Sequence, residues 1–167
     1  MLGRGLAVAA VVAVLDQISK FALLKHFHEA GCGRQQETIT SFLDLVLTCN
    51  QGVSFGLLNR TGANSLVFAI AAAAIVVVLA VWLVRVRATI LAVAIGLIIG
   101  GAIGNVADRL RFGAVIDFLY FHAGPWYWPA FNLADSAICV GVAAMLLDGM
   151  LSRRASQQAK GREDLLP

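Results

Sequence analysis

"LVFAIAAAAIVVVLAVWLV", residues Leu66–Val84, holds no charged side chain and no proline. At ~1.5 Å of rise per residue, a helix of that length covers about 28 Å, close to the hydrocarbon thickness of a bilayer. Three further stretches share its character: Leu6–Leu24, the glycine-rich Thr89–Val106, and Asn132–Leu151. Of the 167 residues 59% are hydrophobic and only 14% charged, with a mean hydropathy of +0.80. A soluble domain of this size needs more polar surface to cover its core. The chain is therefore read as a membrane protein.

The first stretch raises the question of a cleaved signal peptide. It carries Asp16, Gln17 and Lys20 in "DQISK", and an apolar export signal should not contain an acid and a lysine, so it reads as a retained span. "EAGC" at Glu29–Cys32 has the small-small-Cys ending of a lipoprotein cleavage site, but Glu29 stands where an aliphatic residue belongs, so the match reads as chance.

The net charge of +3 does not argue for nucleic acid, because the basic residues follow the positive-inside pattern. Arg4, Arg85, Arg87, Arg153, Arg154, Lys160 and Arg162 crowd the termini and the short 85–88 connection. The longer stretches 25–64 and 107–130 are sparser. Both termini are expected in the cytoplasm and both long loops in the periplasm, the chain lying in a bacterial inner membrane. Residues 1–152 would form one membrane-embedded unit and 153–167 a polar, poorly ordered cytoplasmic tail.

The first outer loop, "TITSFLDLVLTCNQGVSFGLL", is rich in β-branched and aromatic residues and reads as one or two strands. "GAVIDFLYF" in the second has the same character and is suited to pair with it. The expected fold class is all-α integral membrane, four transmembrane helices with a small periplasmic β-sheet element and a periplasmic loop. Cys32, Cys49 and Cys139 share no C-x-x-C spacing and indicate neither a disulfide framework nor a zinc site. His26 and His28 read as part of a solvated loop. No metal and no cofactor are expected.

An ionisable residue at the centre of a span costs roughly 2.5–3.5 kcal/mol on insertion scales, so each one needs a reason. On the expected topology Asp16, Lys20, Asn105, Asp108, Arg109, Asn132 and Asp135 all fall toward the outer face, where the loops bring Asn50 and Asp117. Structural readings exist for several. Asp16 and Lys20 can pair at i, i+4. Gly96, Gly100 and Gly104 suit close helix packing. Asn105, Asp108 and Arg109 can form an interfacial polar cap. Asn132 can cap the last helix, with Asp135 at the dipole-favoured N3 position. Asp117 resists such a reading, since it sits among apolar neighbours in "AVIDFLYF". Two carboxylates sharing a low-dielectric site do not both ionise near neutrality. One can then take a proton from water while the other hydrogen-bonds a scissile carbonyl, which suits peptide hydrolysis. Ser54, Ser136 and Cys49 have no well-placed histidine; His122 is the one outer-loop candidate.

These motifs resemble the lipoprotein signal peptidases, the signal peptidase II family of bacterial membrane aspartic proteases. The similarity rests on "DQISK" at Asp16–Lys20, "NQGVSFG" at Asn50–Gly56, "GGAIGNVADR" at Gly100–Arg109, "VIDF" at Val115–Phe118 and "FNLADS" at Phe131–Ser136, in that order. The resemblance implies that Asp117 and Asp135 are the catalytic dyad. It implies that Asn50, Gly52, Asn105, Arg109 and Asn132 line or shape the site, and that Asp16 and Lys20 support it. It further implies a prolipoprotein substrate carrying a diacylglyceryl cysteine, cleaved just before that cysteine, with no cofactor and with inhibition by globomycin. The partners expected are that substrate and membrane lipid, with no nucleic acid and the enzyme as a monomer. The alternative is a small proton-coupled transporter or channel subunit relaying protons through Asp16, Asp108 and Asp135. Such proteins tend to show paired repeats and a midplane site, and this chain shows neither.

Overall fold

A computed structural model describes residues 1–27, 35–52 and 63–163, with side chains described within 1–27, 35–52 and 65–151. Four helices, α1 (Leu2–His26), α2 (Ala63–Arg85), α3 (Thr89–Phe112) and α4 (Leu133–Glu163), are joined by strands β1 (Gln35–Thr40), β2 (Leu43–Asn50), β3 (Val115–Ala123) and β4 (Trp126–Tyr127). All four helices contain segments long and apolar enough to cross a membrane. They run close to the expected spans, α4 starting one residue later at Leu133, and each continues past the expected end. The largest overrun is in α4, which continues to Glu163 where a poorly ordered tail was expected. The reason is local: "SRRASQQAKGRE" is made mostly of helix formers and has no proline to stop it.

α3 is the central post and touches the other three helices. Glycine is what lets them come close. A Cβ on Gly96 would strike the carbonyl of Gly5, one on Gly100 would lie 2.5 Å from the carbonyl of Ala9, and one on Gly104 would strike the carboxylate of Asp16. These three positions, four apart, form one stripe along which α1 runs parallel to α3. On another face, Gly101 lies against Ala134 and Ala94 against Gly141, so α4 runs antiparallel. α2 packs Leu83 into a cluster with Ala92, Ile95 and Ile99. The rest of its surface, including Val67, Ile70, Val77, Val78 and Val84, is exposed apolar side chain, as suits a helix bathed in lipid.

The sheet has the order β1-β2-β3-β4, antiparallel throughout. The two loop segments expected to pair do so, with Cys49 opposite Ile116 and Asn50 opposite Val115. Leu47, Ile116 and Phe118 of the sheet bury against Leu23 and Phe27 at the end of α1. That cluster fixes the sheet to the end of the bundle where α1 and α3 finish and α4 begins.

Three local expectations need correction. Cys49 is disulfide-bonded, a link that a test for C-x-x-C spacing does not see; Cys32 lies outside the described residues. His26 is the last residue of α1 rather than a loop residue, and its Nε2 lies 2.6 Å from Glu37 Oε2. Asp108, placed by sequence in an interfacial cap, is fully buried, because α1 and β3 cover the end of α3. Residues 53–56 of the "NQGVSFG" segment lie outside the described residues.

Candidate active site

Two carboxylates reach one site from different elements, Asp117 from β3 and Asp135 from the first turn of α4. The return of the chain brings them together. Phe131 exchanges backbone bonds with Leu119 (N–H to O 3.0 Å one way, 2.8 Å the other), so Asn132 arrives beside β3 just as α4 starts. Asn132 Oδ1 then accepts the Asp135 N–H at 2.9 Å, and Asp135 Oδ2 accepts the Asn132 N–H at 3.3 Å. This is a reciprocal capping box with Asp in the usual Glu/Gln place, and it locks the Asp135 side chain to the helix start.

The Asn132 amide does more than cap. Its Nδ2 donates to Asp117 Oδ1 at 2.7 Å, and also lies 3.2 Å from both Asn105 Oδ1 and the Ile116 carbonyl. Asn132 is thus bonded to both carboxylates. The other oxygen of each is held the same way: Asn50 Nδ2 donates to Asp117 Oδ2 at 3.1 Å, and Asn105 Nδ2 to Asp135 Oδ1 at 2.8 Å. Asn50 is itself set by a turn in which its Oδ1 accepts the Gly52 N–H at 2.9 Å. Gly52 has φ +111°, and a side chain there would also strike the Phe68 ring, so only glycine closes this turn without strain.

Behind the amides lies a buried charge cluster. Lys20 Nζ is 2.8 Å from Asp16 Oδ2, 2.7 Å from Asp108 Oδ2 and 3.2 Å from Asn105 Oδ1. Gln17 Nε2 donates to Asp108 Oδ1 at 2.9 Å. At the edge of the site, the Arg109 guanidinium lies 5.9 Å from the centre of the Phe68 ring, donates to the Asn105 carbonyl at 3.2 Å, and stands within electrostatic range of Asp135 and Asp117. The residues that the resemblance implied for the site, Asp117, Asp135, Asn50, Gly52, Asn105, Arg109, Asn132, Asp16 and Lys20, all lie in or against this assembly. Asp108 and Gln17 belong to it too and were assigned no part in it. The available signal was spacing: Asp108 is three residues after Asn105 and shares its helix face.

The two acids differ in setting. Asp117 is 2% exposed, whereas Asp135 is half-buried. Burial pushes the Asp117 carboxyl up, and the neighbouring Asp135 pushes it further. The Asn50 and Asn132 amides and the Lys20 charge pull it back only in part, leaving it at about 7. A carboxyl so placed keeps its proton near neutrality. Nucleophilic alternatives fare worse. Ser136 Oγ donates to the Asn132 carbonyl at 3.0 Å. His122 sits at the far end of the β2–β3 ladder from Cys49, with its Nε2 3.2 Å from Asp44 Oδ2. Among the described residues, no group of three His, Cys, Asp or Glu side chains is placed to hold a metal ion.

The chain is similar to known proteins over most of its length. A family model described as signal peptidase (SPase) II matches residues 8–151. A lipoprotein signal peptidase of Methylorubrum extorquens (strain PA1) is 43% identical over 148 residues, covering 87% of this chain and 85% of the relative. One from Rhodopseudomonas palustris (strain TIE-1) is 43% identical over 156 residues, covering 90% and 94%. Among solved structures, a bacterial membrane enzyme determined by the in meso method at 2.3 Å superposes with a TM-score of 0.74 at 27% identity, covering 90% of each chain.

Proposed function

We propose, for a chain that belongs to the signal peptidase II family and has its lipoprotein signal peptidase activity, that Asp117 and Asp135 are the catalytic dyad of an aspartic endopeptidase. The observation that carries this assignment is the shared asparagine: Asn132 is hydrogen-bonded to both carboxylates. Asp135, ionised, takes a proton from a water molecule as its oxygen attacks the scissile carbonyl carbon. Asp117, protonated, gives its proton to the carbonyl oxygen, and a gem-diol forms. Asp135 then passes its proton to the leaving amine, the C–N bond breaks, and Asp117 recovers a proton from the diol. Water supplies every atom added, so the cycle needs no cofactor.

The substrate is a prolipoprotein whose cysteine carries a diacylglyceryl group, cut just before that cysteine. The loop basic residues support a topology with both termini in the cytoplasm and the sheet in the periplasm of a bacterial inner membrane. Asn50, Gly52, Asn105, Arg109 and Asn132 shape the site, Asp16 and Lys20 support it, and globomycin is expected to inhibit it. The enzyme is expected to work as a monomer.

The test is cleavage of a diacylglyceryl-modified prolipoprotein by the purified protein in detergent, with EDTA present, beside the unmodified precursor. Cleavage of the modified form alone, immediately before the cysteine, is the expected outcome. Equal cleavage of both would remove the lipid requirement. An inactive, folded enzyme would return the transporter reading.

Two further results are expected. The active dyad carries one proton, and Asp117 loses it on passing about pH 7. The kcat/KM profile should therefore fall on its alkaline side with an apparent pKa near 7, a property of the pair. A profile level to pH 9 would remove Asp117 as the proton donor. Trp126 and Trp128 are 80% and 67% exposed at the tip of the outer loop, as suits aromatic side chains at a membrane interface. Replacing both with Ala should slow cleavage of lipidated substrate in bilayers severalfold. Unchanged rates would leave these residues without a membrane role.

A further inference from the structure

We propose that Asp108 is a positioning residue for the dyad, and that with Asp16 and Lys20 it forms a brace that fixes the spacing of the two acids through the backbone. The inference rests on the dyad reading above. Its basis is a pair of matching hydrogen bonds. Asp108 Oδ2 accepts the N–H of Ile116 at 3.1 Å, the residue before Asp117. Asp16 Oδ1 accepts the N–H of Ala134 at 3.0 Å, the residue before Asp135. Both carboxylates close on one ammonium, Lys20 Nζ, at 2.7 and 2.8 Å.

Each acid of the brace thus grips the backbone N–H of the residue before one acid of the dyad, and a single lysine ties the two grips together. All the side chains of the brace are buried, Asp16 and Asp108 completely and Lys20 to 2% exposure. The grips are anchored on α1 and α3, whose glycine stripe presses Gly104 against Asp16 itself. Ile116 is held from both sides, since its carbonyl accepts from Asn132 while its N–H is taken by Asp108. The dyad acids, by contrast, come from a strand and a helix joined by a loop whose tip is exposed at Trp126–Trp128. The brace supplies a fixed spacing that this loop does not.

A brace of this kind makes a prediction that a mere counter-charge does not. Asp108→Glu keeps the charge beside Lys20 but moves the accepting oxygen by about the length of a methylene. Asp108→Asn keeps an accepting oxygen in place but removes the charge. If backbone position is what matters, Asp108→Glu loses about 10²-fold in kcat, the scale of an ångström-sized misplacement, with KM within about threefold of the parent. Asp108→Asn then retains the greater part of kcat. The alkaline limb of the pH profile also shifts in the Glu variant, because its position depends on the distance between Asp117 and Asp135. The other charges facing Asp117, Lys20 from α1 and Arg109 from α3, are unchanged in it.

The experiment is kcat, KM and pH profile for both variants in detergent, on lipidated precursor, with thermal melts to confirm folding. A folded Asp108→Glu enzyme with parental kcat and pH profile overturns the proposal. So does the reverse order, with Asp108→Asn the slower of the two, which assigns Asp108 to charge balance alone. Asp117→Asn run alongside separates the two levels. If it stays active, the dyad reading itself fails; if it is inactive while Asp108→Glu is unimpaired, only the brace fails.

Discussion

Asp117→Asn and Asp135→Asn are each expected to lower kcat by about 10³- to 10⁴-fold or more while leaving a folded protein, because each removes one half of a coupled acid–base pair. The two losses should not add, since the pair works as a unit. Asn is the appropriate replacement. It keeps the volume of the carboxyl and an oxygen able to accept from Asn132 in either position. The two variants differ in their side effects. Asp135→Asn also weakens the capping box that starts α4, so a slightly lower melting temperature should accompany its inactivity. Asp117→Asn replaces a carboxyl already inclined to be neutral and should melt near the parent, or above it at alkaline pH. Cleavage assays on lipidated precursor, with melts in the same detergent, decide the matter. Substantial turnover by either folded variant would exclude the aspartic mechanism.

Lys20→Met is expected to have the largest effect on stability. Methionine fills much of the volume of the lysine stem, so the change isolates the ammonium. Its removal leaves Asp16 and Asp108 facing each other in the bundle with no counter-charge. Stranding a buried charge in this way costs about 3–5 kcal/mol. The variant should melt far below the parent or fail to accumulate. Adding Asp16→Asn and Asp108→Asn should restore much of the stability, since two neutral amides no longer require the ammonium. Near-parental melting of the single variant would show that the two carboxylates are neutralised by some other means.

The helices were legible because lipid selects for bulk apolarity, and Leu66–Val84 carries that signal without interruption. The strand pairing was legible because "LDLVLTCN" and "VIDFLYF" share the β-branched and aromatic character of a sheet. The capping box at Asn132 and Asp135 could be read from spacing alone, since it is local. What stayed hidden depends on partners distant in the chain. Asp108 looks like an interfacial residue until α1 and β3 are seen to bury it. Gln17 is neutral and raises no question in a list of charges, yet it bonds to Asp108. The grips on Ile116 and Ala134 use backbone N–H groups, which every residue type offers equally. The length of α4 was missed for a different reason: polarity argued for leaving the membrane, and it says nothing about where a helix stops.

Among the described residues, the side chains that hydrogen-bond the two acids are all asparagine amides, those of Asn50, Asn105 and Asn132. Amides do not titrate, so the walls of the site keep constant charge across the range in which the dyad changes its own. They do, however, age. Asparagine is among the thermolabile residues, and deamidation at any of the three positions would turn a donor into an acceptor and set a third negative charge against the pair. Deamidation at any one of them is therefore expected to disable the dyad while leaving both of its acids chemically intact.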